Sequence, residues 1–312
     1  MARASGARSQ FAAAFESTYG AAPASGYLKL PFVSTGLSSE QGLIASDLLG
    51  LGRDPADPIR DVINADGDVV VPVDLRNFGH WLKLLFGTPA STGTTGAYVH
   101  TFTSGGWTLP SLSAEIGMPE VPSFAMVSGI RANTMNLRMQ RSGAVNATIG
   151  CIAQGEALAT ATAAGTPTEA VLDRFNQFQG AIKKDGVALA NVTSADLTYS
   201  NNLDRVETIR SDGKIEGADP GAATMTGSMD VRFADTTLLD AAIAGTPMEL
   251  EFSFTLSASK KLVITAHKVF LPKPRRSITG PGGVQASFAW QAAKGAARMC
   301  TLVLSNDVAA YA

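Results

Sequence analysis

Aspartates in one short stretch are the clearest candidates for ligand chemistry. The stretch RDPADPIRDVINADGD, residues 53–68, contains five of them: Asp54, Asp57, Asp61, Asp66 and Asp68. Carboxylate oxygens bind calcium, but the alternating oxygen ligands and the closing glutamate of an EF-hand loop are missing here. The pattern is more typical of a solvated, turn-rich loop, so we expect no bound metal.

The other reactive residue types form no recognisable site. Cys151 and Cys300 lack metal-ligand spacing and are expected to be small core residues. GLGRDP, residues 50–55, begins like a dinucleotide-binding fingerprint but lacks its third glycine. The three histidines are spread over apolar or hairpin positions, at His80, His100 and His267. Their spacing indicates no catalytic triad, so we predict no enzyme, no catalytic residues and no cofactor.

Composition narrows the classes of partner. The chain has 312 residues, of which 45% are apolar and only 17% charged, with a net charge of −2. A low charge count indicates that much of the surface lies against other protein, and no basic field is present to hold nucleic acid. The N-terminal sequence lacks the apolar core of a signal peptide, and no apolar run reaches about 18 residues. We therefore expect no membrane insertion.

The tripeptide Gly-Thr-Pro ends two apolar, helix-like segments, at residues 81–89 and 238–247. Glycine stops a helix and proline prevents its restart. When the two tripeptides are aligned without a gap, three alternating apolar positions coincide, Val71, Val73 and Leu75 with Met229, Val231 and Phe233. Such alternation is typical of half-buried strands. Both copies therefore predict a strand, a short helix and a stop.

Two further blocks repeat in the same order. Residues 34–43 match 194–203, and residues 143–150 match 282–289, with a shorter offset because the first copy carries an insertion at 90–108. Ordered repeats predict a duplicated domain. We place the first domain at 1–153, with an N-terminal arm at 1–25 and a long loop at 42–66. A linker or extended strap at 154–171 then leads to the second domain at 172–312.

Inside each half the pattern is mostly that of β-strands. Residues 135–140 alternate apolar and polar side chains, and residues 247–271 predict a hairpin that turns at 257–260. Each half is predicted to be a small antiparallel sandwich or barrel with one short helix, so the fold class is α+β and mainly β. The polar faces of several strands are uniform. A solvated outer sheet face and the lumen of a wide, water-filled barrel both fit this pattern.

The start of the chain carries a more specific pattern, Glu-x-Thr-aromatic-Gly-x-x-Pro, at Glu16, Thr18, Tyr19, Gly20 and Pro23. With LSSEQGLIASDLL at 37–49 and MTGSMDVRFADTTLLDAAIAGTP at 225–247, it resembles the major tail tube proteins of long, non-contractile-tailed bacteriophages, in particular their two-domain class of about 300 residues. The chain departs from that family in the mixed charges of residues 48–61, which put loop contacts in doubt.

The resemblance implies a structural virion protein. Its subunits would form rings that stack into a hollow tube, and DNA would travel through the tube from capsid to host cell. Implied partners are further copies of the chain, the tape measure protein, tail terminator or tail tip proteins, and DNA in transit. The protein would be assembled in the host cytoplasm and reside in the virion tail. The alternatives are a two-domain β-rich module that binds carbohydrate or a receptor through clustered aromatics, and a β-rich hydrolase.

The repeat and the alternation make this reading specific. A duplicated chain should close a ring with three copies and pseudo-sixfold symmetry, which we favour over a hexamer. Polar residues alternate with the apolar ones on the same strands, so their side chains point to the opposite face and are expected to line the channel. They are Asp74, Asn136, Arg138, Gln140, Ser228, Asp230 and Arg232. Residues 42–66 and 204–223 are expected to form contacts between rings, with four charged residues at Arg53, Asp54, Arg60 and Asp61.

Overall fold

The chain is built mainly from β-strands, which make up 51% of it, with 8% helix, and this confirms the predicted fold class. The computed structural model describes residues 3–50, 52–275 and 283–311. The first half contains β1 (Gln10–Phe15), β2 (Leu28–Lys29), β3 (Ser34–Thr35), β4 (Ser38–Ile44), β5 (Ile59–Pro72), α1 (Phe78–Phe86), β6 (Ala90–Thr94), β7 (Ala97–Thr103), β8 (Leu112–Met118), β9 (Ser123–Met139) and β10 (Asn146–Ala153).

The connecting segment and the second half also consist mainly of β-strands. They contain β11 (Gly155–Ala159), β12 (Thr168–Glu169), β13 (Gly180–Lys184), β14 (Val187–Ala188), β15 (Val192–Ser200), β16 (Asp204–Val206), β17 (Gly217–Asp219), β18 (Thr224–Arg232), α2 (Thr237–Ala244), β19 (Met248–Ser257), β20 (Lys260–Phe270), β21 (Gln285–Ala292) and β22 (Cys300–Asn306). Short 3₁₀ turns lie at Gly6–Arg8 and Gln177–Gln179.

One antiparallel sheet runs through both halves of the chain. Its strand order is β5–β10–β9–β15–β18–β21, and β3 and β4 continue it beyond β5. The two halves meet where β9 pairs with β15, from Ala195 opposite Met139 to Ser200 opposite Thr134. We call this the shared sheet.

Each half also has an outer sheet of its own. The order is β12–β2–β1–β8–β9–β11 in the first half and β14–β13–β19–β20–β22 in the second. Strand β9 is long enough to belong to both the shared sheet and the first outer sheet. The register of β8 against β9 shifts between Leu112 and Ala114, and that of β19 against β20 shifts between Met248 and Leu250. Corresponding strand pairs therefore carry a bulge at corresponding positions.

Strand order is the same in the two halves apart from one insertion. The series β2–β1–β8–β9–β11 corresponds to β14–β13–β19–β20–β22, and β4–β5–β10–β9 corresponds to β15–β18–β21–β20. The insertion is the β6–β7 hairpin, and β7 pairs with β22 of the second half. That the halves are duplicated domains stays a proposal, which superposition of residues 25–153 on 172–305 tests.

Both helices end where the sequence predicts. Gly87 follows α1 with φ +89°, and its N–H donates to the carbonyl oxygen of Lys83 at 2.8 Å. Gly245 follows α2 in the left-handed conformation, with φ +63°. A residue with a Cβ is strained at such φ values, so glycine is the natural residue at both stops.

The core contains nearly all the apolar residues predicted for it. Eight of the nine alternating residues are buried: Val71, Val73, Leu75, Met135, Leu137, Met139, Met229 and Val231. Phe233 is partly buried and packs against the same cluster. Cys151 and Cys300 are buried free thiols, and burial raises the pKa of both to about 12. One contiguous cluster contains buried residues of both halves, and the division at residues 153 and 172 stays a prediction.

Three segments are more ordered than the sequence suggests. The N-terminal arm contributes β1, which pairs with β8 along its whole length. The linker at 154–171 contains β11 and β12, and its residues 162–164 are held by the buried carboxylate of Glu115. The segment 42–66, expected to be a turn-rich loop, has strand at both ends, where 42–44 of β4 and 59–66 of β5 belong to one hairpin, and residues 45–58 join the two strands. Pairing with strands distant in sequence orders the first two segments, and local pairing between β4 and β5 orders part of the third.

Candidate functional site

The shared sheet has one face in the core and one polar face. Residues directly opposite each other in antiparallel strands place their side chains on the same face. The register gives a row of such neighbours across five strands, Thr148, Asn136, Thr198, Thr226 and Gln291. Most of their neighbours along each strand are buried, among them Leu137, Leu197 and Met225. The polar face is therefore continuous across both halves.

Six of the seven residues predicted to face a channel lie on this polar face. Asn136 and Arg138 are exposed on β9, and Gln140 is exposed directly after its last residue. On β18, Ser228 and Asp230 are half-buried and Arg232 is exposed. The β9–β15–β18 register places the two sets on one surface.

The prediction for Asp74 is wrong. Its side chain is fully buried, with an exposed fraction of 0%. One carboxylate oxygen accepts hydrogen bonds from the backbone N–H groups of Asn77, at 2.9 Å, and Arg76, and the other from that of Phe78 at 2.8 Å. Burial raises the pKa of this carboxyl group, against the effect of those hydrogen bonds. Asp74 lies beyond the end of β5, where it fixes the turn into α1, so strand alternation no longer applies.

Sequence reasoning missed the contribution of β15 to the polar face. Asp196 and Thr198 lie there, between β9 and β18. The segment SADLTYS alternates them with the buried residues Ala195, Leu197 and Tyr199. That period of two was the signal that could have placed them.

Charge on the polar face is sparse and slightly negative. None of the six strands β5, β10, β9, β15, β18 and β21 of the shared sheet contains a lysine. The charged residues of the face are Asp66, Asp68, Asp196, Asp230, Arg131, Arg138 and Arg232. Arg138 lies directly opposite Asp196, and Ser194 donates a hydrogen bond of 2.8 Å to the carboxylate of Asp230. The surface therefore offers polar groups that are already paired with one another.

The β4–β5 hairpin, residues 38–66, is a projecting element that we call the hairpin arm. It exposes a group of large apolar side chains: Leu43, Ile44, Leu48, Leu49, Ile59 and Val62. The four charged residues predicted for this region are all exposed, and among the residues that the structure describes none of them forms an ion pair: Arg53, Asp54, Arg60 and Asp61. Exposed apolar groups of this size mark surfaces that contact other protein.

Residues 204–223, predicted to act with this arm, do lie against its base. The N–H of Ile63 donates to the carbonyl oxygen of Gly213 at 2.9 Å. Arg205 forms an ion pair with Asp66. These contacts fix the direction in which the hairpin arm leaves the body of the subunit.

The Glu-x-Thr-aromatic-Gly pattern has a structural role. The carboxylate of Glu16 accepts hydrogen bonds from Ser111 and Ser113 Oγ, at 2.6 and 2.5 Å, and from the N–H groups of Gly20 and Gly129, at 2.8 and 2.7 Å. Both glycines have positive φ, +76° and +68°. Gly129 lies at the bulge where β9 leaves the outer sheet for the shared sheet. Glu16 therefore holds the bend that lets one strand serve two sheets.

The alternative of a binding module depends on clustered exposed aromatics. Trp81 and Trp290 are 1% and 2% exposed and belong to the core, whereas Trp107 is 76% exposed. Two of the three tryptophans are thus unable to form a surface on which a sugar could stack.

The three histidines make contacts with other residues of the fold. Burial, with a smaller effect of Lys83, lowers the pKa of His80 to about 4. His100 hydrogen-bonds Ser91 and the backbone of Val308, and His267 lies 3.1 Å from a carboxylate oxygen of Glu249. Within residues 3–50, 52–275 and 283–311, no three histidine, cysteine, aspartate or glutamate residues are grouped to hold a metal ion. In those same ranges no helix has the length and apolar character needed to span a membrane.

Comparison with known proteins agrees with the resemblance seen in the sequence. The family model described as phage tail tube protein matches residues 6–292 of the 312. No curated protein matches the chain. The match covers the shared sheet, both outer sheets except β22, and the hairpin arm. The chain belongs to the phage tail tube protein family.

Proposed function

We propose that this chain is a subunit of rings that stack into a tail tube and that DNA passes through the tube. The observation that carries the proposal is the shared sheet, because its polar face continues without interruption from the first half into the second. A channel needs such a face, and a sheet that already crosses a domain junction inside one chain can also cross junctions between chains.

The polar face of the shared sheet forms the wall of the channel. The residues lining it include Asn136, Arg138, Gln140, Ser228, Asp230 and Arg232. DNA binds tightly where lysine and arginine neutralise its phosphates. A face without lysine in its six strands, on which aspartates outnumber arginines, lets the duplex move without arrest.

Three chains close one ring with pseudo-sixfold symmetry. Each chain brings two halves with the same order of paired strands, so three chains present six similar units. The hairpin arm, with Arg53, Asp54, Arg60 and Asp61, contacts the neighbouring ring. Its exposed apolar side chains, such as Leu48 and Leu49, are then covered in the stack.

The same proposal defines the setting of the protein. The tail is of the long, non-contractile type, and subunits assemble in the host cytoplasm before they reside in the virion. The tape measure protein occupies the tube during assembly, and terminator and tip proteins close its two ends. The chain works as a structural protein without catalysis.

Electron microscopy of the purified protein tests the proposal. We expect tubes or stacked rings, and an averaged image or a helical reconstruction with three chains per ring. Six chains per ring would contradict the trimer, and a protein that stays monomeric at high concentration would contradict the tube. A reconstruction with the polar face on the outer surface would overturn the channel assignment.

A further inference from the structure

We propose that the junction between the two halves of one chain is repeated between neighbouring copies of the chain. In this junction α2 and residues 271–275, which follow β20, of one copy contact β3 and β4 of the next. The inference rests on the proposed ring and names the surface that closes it. The contacts between the two halves of one chain serve as the template for the contacts between neighbouring chains.

The junction inside the chain is closely packed. Asn201, which follows β15, donates from its side-chain amide to the carbonyl oxygens of Leu85 and Ala132, at 2.9 and 3.0 Å. The rings of Phe86 and Tyr199 lie 4.4 Å apart between centroids. The end of α1 and the second part of β9 thus pack against β15.

Strand registers identify the equivalent surfaces of the two halves. Phe270 lies opposite Gln291 as Arg131 lies opposite Ile152, so Leu271 corresponds to Ala132. Ser38 lies opposite Asp66 as Ser200 lies opposite Thr224, which aligns β4 with the end of β15. This structural alignment is shifted by two residues from the sequence match of 34–43 with 194–203. Because side chains alternate between the two faces of a strand, a shift of two leaves each side chain on the same face.

The face of α1 that is buried in the first half is exposed on the equivalent helix α2 of the second half. Leu82, Leu85 and Phe86 of α1 are buried. The equivalent residues of α2, aligned on Gly87 and Gly245, are all exposed: Asp240, Ile243 and Ala244. Ile243 is 59% exposed where Leu85 is 0% exposed. The isolated chain therefore lacks whatever covers α2, and the internal junction indicates that this is a strand equivalent to β15.

The shared sheet also ends in two open edges. Among the described residues β3 and β4 pair only with β5, and β21 pairs over 285–290 only with β18. Unpaired strand edges are templates for pairing with another chain. In the internal junction Thr134 lies opposite Ser200 and Asn136 opposite Thr198. By the alignment above, Lys273 and Arg275 correspond to Thr134 and Asn136, and Ser38 and Gly36 correspond to Ser200 and Thr198. The same register between copies therefore places Lys273 of one copy opposite Ser38 of the next, and Arg275 opposite Gly36.

Charge complements this register. Lys273 and Arg275 are exposed. On the receiving side, β5 carries Asp66 opposite Ser38 and Asp68 beside Gly36, whose N–H donates to the Asp68 carbonyl oxygen. Because Gly36 has no side chain, the guanidinium of Arg275 can extend over it toward the Asp68 carboxylate. The basic segment is thereby neutralised at the seam instead of being presented to DNA.

Disulfide trapping of assembled protein tests the seam. The variant Ser38→Cys/Lys273→Cys should give, after oxidation, covalent chains up to the size of one ring on a denaturing gel. Thr134→Cys/Ser200→Cys, directly opposite each other at the internal junction, is the geometric control and should crosslink within the chain. Ser38→Cys alone is the negative control, since the native thiols are buried.

The outcomes separate this inference from the proposed function. Tubes in which the internal control crosslinks but the Ser38 and Lys273 cysteines stay reduced would overturn the seam and leave the tube intact. Absence of rings and tubes in the unmodified protein would overturn both. A ladder that ends at the three-chain species would support both.

A substitution on α2 supplies a second, independent test. Ile243→Glu places a charge on an exposed position, so the subunit should fold with an unchanged melting temperature yet sediment as a monomer. Leu256→Glu, an exposed apolar residue at the β19–β20 turn, is the matched control and should still assemble. Normal tubes from Ile243→Glu would contradict the inference.

Discussion

At the scale of single residues, the carboxylate of Glu16 connects several segments of the first half. It accepts four hydrogen bonds at the bend of β9. Glu16→Gln removes the negative charge and replaces one accepting oxygen with an NH₂ group. That NH₂ group then faces the hydroxyl and N–H groups that donate to Glu16. We expect a loss of about 1–3 kcal/mol in the free energy of unfolding.

Chemical denaturation of the monomer measures this effect. Glu169→Gln is the control, since its exposed ion pair with Lys29 contributes little, and its change should stay below about 0.5 kcal/mol. Equal stability of the two variants would show that Glu16 does not hold the bend.

His80 predicts how stability depends on pH. Burial lowers its pKa to about 4, below the value of about 6.5 in the unfolded chain. The neutral ring therefore favours folding above pH 6.5 or so, and this contribution is lost as the pH falls toward 4. Between pH 7 and pH 4.5 the native protein should lose about 1–2 kcal/mol more of its unfolding free energy than His80→Phe.

Denaturation curves at a series of pH values compare the two proteins. The carboxyl groups titrate in both, so the difference between the curves isolates the histidine. Parallel curves would mean that His80 is as accessible to protons when folded as when unfolded.

At the scale of elements, the outer end of the hairpin arm exposes apolar side chains. Leu48 and Leu49 at its outer end are 66% and 95% exposed. The double variant Leu48→Ser/Leu49→Ser should keep the melting temperature of the monomer, because both side chains are exposed, and lose tube formation, because the proposed stack covers them.

The melting temperature and electron micrographs together decide this prediction. Val187→Ser, 71% exposed at the β13–β14 hairpin, is the control that should form normal tubes. If the arm variant also forms tubes of normal length, stacking does not depend on its apolar tip.

At the scale of the whole molecule, the charge of the polar face, the proposed channel wall, should govern DNA movement. Asp196→Arg/Asp230→Arg adds two cations to the polar face, and each can contact a phosphate. We expect assembly to persist while DNA release from triggered virions becomes slower and more dependent on salt. Asp196→Asn/Asp230→Asn removes the same charges without adding cations.

Release rates measured by fluorescence of a DNA-binding dye compare these virions. The arginine variant should be slowest at low salt and approach the native rate as salt rises. Unchanged release from assembled arginine virions would show that the face does not meet DNA.

Several features of this protein followed from local sequence pattern alone. Alternation of period two identified the strands and eight fully buried core residues, because the pleat sends neighbouring side chains to opposite faces. Gly87 and Gly245 marked the helix ends through backbone conformation, which is a property of the residue itself. The rule failed at Asp74, where the strand had already ended and the carboxylate caps the turn into α1.

The tertiary structure decided which strands meet. The pairing of β9 with β15, which joins the halves, and of β7 with β22, which places the 90–108 insertion on the second half, connects residues far apart in sequence. An alternating strand specifies which of its faces is buried but leaves its neighbours open, since backbone hydrogen bonds are the same for every partner. The continuous polar face and the exposed surface of α2 are consequences of those pairings, and so only the folded chain revealed them.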